Sequence, residues 1–212
     1  MRRPRFIAEQ ARHASGWLGR LIAFVMARET WAQNQRAIEM LEIGDGNHVL
    51  DVGCGPGRSL AKLAALAPNG RVVGADPSEL MTEIAVRRNR ALVKSGRASV
   101  VIASAASLPF PDETFDKALC VHVLYFWNDL EVAFREIARV LRPGAQLALL
   151  FRTNDDQAAV RAFPAEVYRF PSLSDVFAPL EAAGFAIQTN DELCCEPKTT
   201  PVLLVATRRS RT

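Results

Sequence analysis

Residues 49–58 read VLDVGCGPGR, an apolar run closed by glycines at every second position, with the carboxylate of Asp51 two places before the first. Glycine weakens regular structure, so such a cluster marks backbone that turns sharply or lets another molecule come close. A purely structural turn would not need three alternating glycines. A nicotinamide dinucleotide fingerprint, G-x-G-x-x-G, needs its third glycine where this chain has Arg58, and Gly57 falls one place early. An acid in the strand that leads into the loop favours a cationic guest over a pyrophosphate. Nineteen residues past Gly57, a second apolar run ends at Asp76, placed to accept both hydroxyls of a ribose. A ligand that joins adenosine to positive charge is S-adenosylmethionine, whose sulfonium and ammonium groups are cations.

The elements that must hold these residues follow from periodicity. HVLDV (48–52), RVVGA (71–75), ASVVIA (98–103), FDKALCV (115–121) and QLALLF (146–151) read as five apolar strands. Helices fall between them: over 57–67, from the N-cap candidate Ser78, and over 129–141, where Arg142-Pro143-Gly144 is expected to be the stop. Alternation of this kind implies right-handed crossovers and a parallel sheet buried on both faces. A polar loop, a helix over 173–183 and two strands (185–190 and 201–207) complete the pattern, the last strand pairing as an antiparallel hairpin. The fold class is α/β: a Rossmann-like, doubly wound, seven-stranded sheet, mostly parallel with the last strand antiparallel, behind a helical N-terminal cap. Residues 1–44 form that cap within the same domain, and 45–212 form the sheet and its helices. In the cap, Trp17, Leu18, Leu21, Ile22 and Val25 recur at helical spacing, and a second helix holding Trp31, Ile38 and Leu41 ends near Gly44. Trp17, Phe24 and Trp31 are candidates to close a lid over an acceptor, packing against the sheet being the other reading.

Four segments carry a resemblance: VLDVGCGPGR, GADPSELM (74–81), SLPFPDETFDKAL (107–119) and RVLRPGAQLALL (139–150). In this order, over residues 44–151, the chain resembles the class I S-adenosylmethionine-dependent methyltransferases. It is most similar to the small-molecule group that includes the ubiquinone/menaquinone-biosynthesis C-methyltransferases. The resemblance implies that Gly53 and Gly55 let the backbone lie against the methionine portion of the cofactor and that Asp51 helps hold its ammonium side. It gives the ribose to Asp76, the adenine face to Pro77 and a place beside the methyl group to Cys120. The family usually carries Asp where this chain has Ser104; a hydroxyl still accepts from the adenine amino group, and the Ala105 N–H meets the ring nitrogen.

Methyl transfer is an in-line displacement at an activated sulfonium, so it needs no nucleophilic side chain. An oxygen or carbon acceptor still benefits from a base, and in CVHVLYFWND (120–129) the titratable candidates are His122, then Tyr125, with capping or packing as the plainer role for each. The expected function is methyl transfer to a small-molecule acceptor, leaving S-adenosylhomocysteine. The alternatives are an RNA or protein methyltransferase, prompted by Arg2, Arg3, Arg5, Arg208, Arg209 and Arg211, and a non-catalytic S-adenosylmethionine-binding protein. Terminal charge runs read as solvated tails, and no basic helix interleaved with aromatics points to nucleic acid. With 49% hydrophobic and 23% charged residues in 212 and a net charge of +3, the composition is that of an ordinary globular protein. WLGRLIAFVMA (17–27), broken by Arg20, is too short and too charged for a membrane span. Cys54, Cys120, Cys194 and Cys195 lack disulfide or zinc spacing, so no metal and a reducing, cytoplasmic compartment are expected.

Overall fold

A computed structural model describes residues 5–12, 15–188 and 201–210. Three helices, α1 (Arg5–Arg12), α2 (Gly16–Glu29) and α3 (Trp31–Glu39), precede the first strand. The strands are β1 (His48–Val52), β2 (Arg71–Asp76), β3 (Ala98–Ile102), β4 (Phe115–Val121), β5 (Leu141–Phe151), β6 (Phe185–Gln188) and β7 (Val202–Arg208). Between them lie α4 (Arg58–Leu66), α5 (Glu79–Arg88), α6 (Arg90–Lys94), α7 (Leu130–Val140), α8 (Gln157–Ala162) and α9 (Leu173–Ala182). The seven strands form one sheet in the order β3-β2-β1-β4-β5-β7-β6. All neighbours run parallel except β7, which is antiparallel to both β5 and β6. The doubly wound α/β expectation therefore holds, including the antiparallel last strand.

Side-chain alternation divides each strand between two apolar layers. Val49, Val72, Leu119 and Leu150 bury themselves with Ile38 and Leu41 of the cap and with Leu60 and Leu63 of α4. Their neighbours Leu50, Val73, Ala118, Cys120 and Leu149 join Phe134 and Ile137 of α7 and Val176 and Leu180 of α9. The second helix of the expected cap is thus core, but it ends at Glu39 rather than near Gly44, and Leu41 packs from the turn beyond it. The first is largely not core: Trp17 is 77% exposed, and Leu21, Phe24 and Val25 are exposed beside it, while Ile22 is buried. Leu18's side chain, and Cys194 and Cys195, lie outside the described residues.

Three local expectations need correction. The helix α7 ends at Val140, not 141, and Arg142-Pro143-Gly144 forms the start of β5, where the pairing with β4 shifts between Phe115 and Lys117. The span expected as loop, 152–172, contains α8, whose first turn is capped by the Asp156 carboxylate accepting from the Ala159 N–H at 2.9 Å. Arg208 is not in a solvated tail. It is 6% exposed within β7, its guanidinium donating to the Leu141 carbonyl and pairing with Glu113. The segments SLPFPDET and RVLRPG meet at Arg139, which donates to the Leu108 and Phe110 carbonyls at 3.0 and 2.8 Å and pairs with Asp112 and Glu136. Glu136 in turn accepts from the Leu108 N–H at 2.7 Å, so these two motif segments hold the loop after β3 in place.

The glycine loop leaves β1 in a left-handed conformation, with φ of +73° at Gly53 and +66° at Gly57. A methyl group on Gly57 would stand 2.7 Å from Ala85 Cβ and 2.9 Å from Asn89 Nδ2, so this glycine lets α4 start hard against α5. One built on Gly55 meets nothing within 4 Å. Gly57→Ala should therefore cost about 2–4 kcal/mol, the sum of backbone strain and overpacking, and Gly55→Ala only about 1–2 kcal/mol of backbone strain. Urea denaturation of the two variants checks the order; equal losses would mean that the α4–α5 contact does not constrain the loop.

Candidate functional site

The order of strands reverses between β1 and β4, and a ligand in an open parallel sheet lies beyond the carboxyl ends at such a point. A cavity of about 450 Å³ opens there. Its wall is built by the segments that leave four strands: Val52 to Ser59, Asp76 to Met81, Ala103 to Ala106, and Val121 to Ala133, with Thr30, Trp31 and Asn34 of the cap closing one side. Of the expected ligand residues, Gly53, Gly55, Asp76, Pro77, Ser104 and Ala105 all line it.

Asp76 sits at the centre of this wall. Its two carboxylate oxygens accept from the Gly55 N–H and the Ser78 N–H, each at 2.9 Å, so one side chain joins the loop after β1 to the loop after β2. Each oxygen keeps a further lone pair for a hydroxyl. Asp51 lies one layer behind the wall, 4% exposed, and accepts a hydrogen bond from Ser59, whose residue does line the cavity. Burial pushes its carboxyl up to about 7; the Ser59 bond opposes this and the charge of Asp76 adds to it. Asp76 is raised as well, by burial, against the two backbone N–H bonds.

His122 and Tyr125 are brought together, but not as a free base. His122 has φ of +58° at the end of β4, where its N–H donates to the Leu150 carbonyl at 2.7 Å and its ring turns to the cavity. The Tyr125 hydroxyl accepts from the Arg152 N–H at 2.6 Å, leaving its proton for His122 Nδ1 at 3.0 Å. Nε2 then carries the ring proton and donates it to Gln33 Oε1 of α3. Both ring nitrogens are engaged and the ring is neutral: burial, then the charge of Arg152, lowers its pKa to about 4. Tyr125 is 3% exposed and not part of the wall, packed at 4.9 Å from the Phe170 ring, and burial pushes its hydroxyl far up.

Cys120 does not border the cavity. It precedes the wall residue Val121 in β4, fully buried in the layer with Phe134, and burial holds it as a thiol. Strand alternation sends it away from the face its neighbour presents. Trp17 and Phe24 are not in this wall either, whereas Trp31 is, with the Arg58 guanidinium 4.5 Å over its ring centre. Gln33, Ser59, Arg58 and Val132 were not singled out from sequence. Gln33 and Arg58 meet partners distant in the chain, His122 and Trp31, so no local spacing announces them. Among the described residues no group of three His, Cys, Asp or Glu side chains is placed to hold a metal ion, and no helix is long and apolar enough to cross a membrane.

Comparison with known proteins bears on this cavity. The Methyltransferase domain family matches residues 50–149. O-methyltransferase rstn1 of Aspergillus nomiae is 33% identical over 155 residues, covering 70% of this chain and 68% of that protein. The chain belongs to the class I S-adenosylmethionine-dependent methyltransferases. O-methyltransferase cnsE of Penicillium expansum is 34% identical over 152 residues, and the chain spans 55% of its length. Demethylmenaquinone methyltransferase of Symbiobacterium thermophilum is 34% identical over 128 residues, 51% of its length. The chain thus spans about half to two thirds of these relatives. In fold it matches geranyl diphosphate methyltransferase solved in complex with GPP and sinefungin, with a TM-score of 0.69 and 18% identity over 84% of this chain and 78% of that one.

The residues present fit the family's cofactor. Two buried carboxylates lie behind and within one wall, both pushed up, and no Lys or Arg among the described residues pairs with either. A cationic guest relieves that repulsion, whereas a pyrophosphate would worsen it. In the free methyltransferase, Asp51 has a folded-state pKa above the ordinary 3.8, so it contributes stability below pH 3.8 that is lost as pH rises through about 7. A cation binds the ionised form, so affinity for S-adenosylmethionine should rise about tenfold between pH 6 and pH 8, with proton release at pH 6. Calorimetry in buffers of different ionisation enthalpy measures both, and Asp51→Asn should flatten the rise. A rise that persists in that variant would remove Asp51 as its origin.

Proposed function

We propose that this methyltransferase acts on a small organic acceptor, in the cytoplasm, by in-line displacement. The observation that carries the proposal is the continuity of the cavity. Asp76, Ser104 and the glycine loop give it polar lining, Phe126, Trp127 and Val132 give it apolar lining, and the two meet where Val123 packs on Gly53. The volume of about 450 Å³ is in the range of small-ligand sites. The names of the relatives, O-methyltransferases and a demethylmenaquinone methyltransferase, support a small acceptor. The buried free thiols Cys54 and Cys120 support a reducing compartment.

In this reading Asp76 takes the ribose hydroxyls, Pro77, Ser104 and Ala105 take the adenine, and Gly53 and Gly55 face the methionine portion. Asp51 supports the ammonium side through Ser59. Bound there, S-adenosylmethionine supplies a methyl group on a sulfonium that is already a good leaving group. The chain's own work is to align the acceptor and exclude water, and alignment of this kind is worth up to about 7–11 kcal/mol. Phe126 is fixed from behind by Tyr168, whose ring centre lies 4.9 Å away, which keeps the acceptor wall stiff. His122 serves as a positioning residue, neutral and hydrogen-bonded on both nitrogens, with Tyr125 as its anchor; this replaces the general-base role.

Asp76→Ala should weaken S-adenosylmethionine binding by at least the roughly 1.5–3 kcal/mol of a charged hydrogen bond; wild-type affinity by calorimetry would remove the ribose assignment. At saturating cofactor, with an acceptor found from a metabolite panel, kcat should be flat between about pH 5.5 and 8, because His122 titrates near 4. An inflection near the ordinary histidine value of about 6.5 that disappears in His122→Gln would instead make it the base. Methylated product from no panel member would favour the non-catalytic binding protein.

A further inference from the structure

Helix α2 packs on α1, α3 and α5, with Gly19 and Ile22 buried and Arg20 paired to Glu83 of α5 at 3.0 Å. Trp17, Leu21, Phe24 and Val25 share another face of the helix, since they recur at i, i+4, i+7 and i+8. They are 77%, 53%, 56% and 43% exposed, and Phe6 of the neighbouring α1 is 55% exposed. Among the described residues, these five make up half of the ten large hydrophobic side chains that remain exposed. Single exposed apolar side chains are ordinary, but a stripe of them on one helix marks a surface with a partner. None of the five lines the S-adenosylmethionine cavity, so the stripe is not a wall of that site.

The same segment concentrates positive charge. Residues 1–29 hold six arginines and two glutamates, a net +4, whereas the remainder of the chain is net −1. Arg28 continues the stripe one turn beyond Phe24 and is exposed. A side chain so placed lays its methylenes along an apolar surface and lifts its guanidinium into a polar layer. Pairing two copies through this face would set like charge against like charge, whereas the headgroups of an anionic bilayer neutralise it. With 14 residues, α2 is about 21 Å long, too short to cross a hydrocarbon core of about 30 Å. An apolar stripe bearing Trp and Phe in an arginine-rich segment suits the plane of the interface instead.

We propose that the exposed face of α2 docks this methyltransferase on the surface of an anionic lipid bilayer. Trp17, Leu21, Phe24 and Val25 seat at the boundary of headgroups and acyl chains, and the arginines of the segment meet lipid phosphates. The attachment is peripheral and reversible, and salt weakens it, because its charged part is screened over about 10 Å at 0.1 M. It leaves the cofactor contacts untouched, since none of the four side chains lines the cavity.

The test uses the full chain and measures its sedimentation with vesicles of phosphatidylcholine, alone or with about one third phosphatidylglycerol. The proposal expects the anionic vesicles to be bound at least about tenfold more tightly than the neutral ones, with the difference shrinking as salt rises. Trp17→Ser and Phe24→Ser should each weaken binding to the anionic vesicles about tenfold, and Arg28→Gln about threefold with a shallower salt dependence. Wild-type affinity for S-adenosylhomocysteine in each variant, by calorimetry, shows that the fold is intact. Trp17→Phe keeps the apolar bulk, so it should keep binding but lose much of the quenching of tryptophan emission by brominated acyl chains. No binding to either vesicle, equal binding to both, binding unchanged in Trp17→Ser, or quenching undiminished in Trp17→Phe would overturn the docking. So would a wild-type dimer in analytical ultracentrifugation that dissociates in Trp17→Ser, which would give the face to a second copy.

Discussion

The Asp76 carboxylate, bridging the N–H groups of Gly55 and Ser78, is the contact on which the ligand end of this molecule depends. It makes one rigid rim out of two loops that leave neighbouring strands. Around it the chain arranges its other restraints: Gly57 closes α4 onto α5, Asn89 donates to the Gly57 carbonyl at 2.8 Å, and Arg88 holds Pro56. The carboxylate needed for this bridge is also a buried negative charge, and Asp51 behind it is a second. The rim thus carries two carboxylates that burial disfavours as anions, an arrangement that suits a cation.

The far side of the cavity is stiffened by other means. Tyr125, Phe126, Phe163, Tyr168 and Phe170 form a linked set of ring contacts 4.5–6.1 Å apart, and Tyr125 ties this set through His122 to Gln33 in the cap. Polar rim and aromatic wall are therefore joined by the N-terminal helices, which explains why α3 is core while the outer face of α2 stays open to solvent.

Much of this was legible in the chain. The five parallel strands, the switch point and the glycine loop follow from apolar runs and punctuation, because a strand buried on both faces leaves a continuous signal. Asp76 was readable for the same reason, standing where such a run stops. The bounds of β4 were read correctly, but the resemblance put Cys120 beside the cavity, whereas alternation along β4 gives that face to Val121. Tyr125 and His122 were found as residues but not in their states: burial, then Arg152, sets their protonation, and Gln33 bears on the imidazole tautomer, all contributed by the packing of elements distant in the chain. Arg208 read as tail because charge at a chain end is normally solvated. Here it lies in the sheet, against the Leu141 carbonyl.

The strand order has a consequence for synthesis. Among the described residues, β6 pairs only with β7, and β7 alone covers the open edge of β5. As the chain emerges from the ribosome, β6 appears before it has any partner, and β5 shows an unpaired edge rich in leucine until β7 arrives about fifty residues later. The sheet is therefore closed from the inside by its last strand. During that interval the growing chain is open to edge-to-edge association with other copies, an exposure the finished fold conceals.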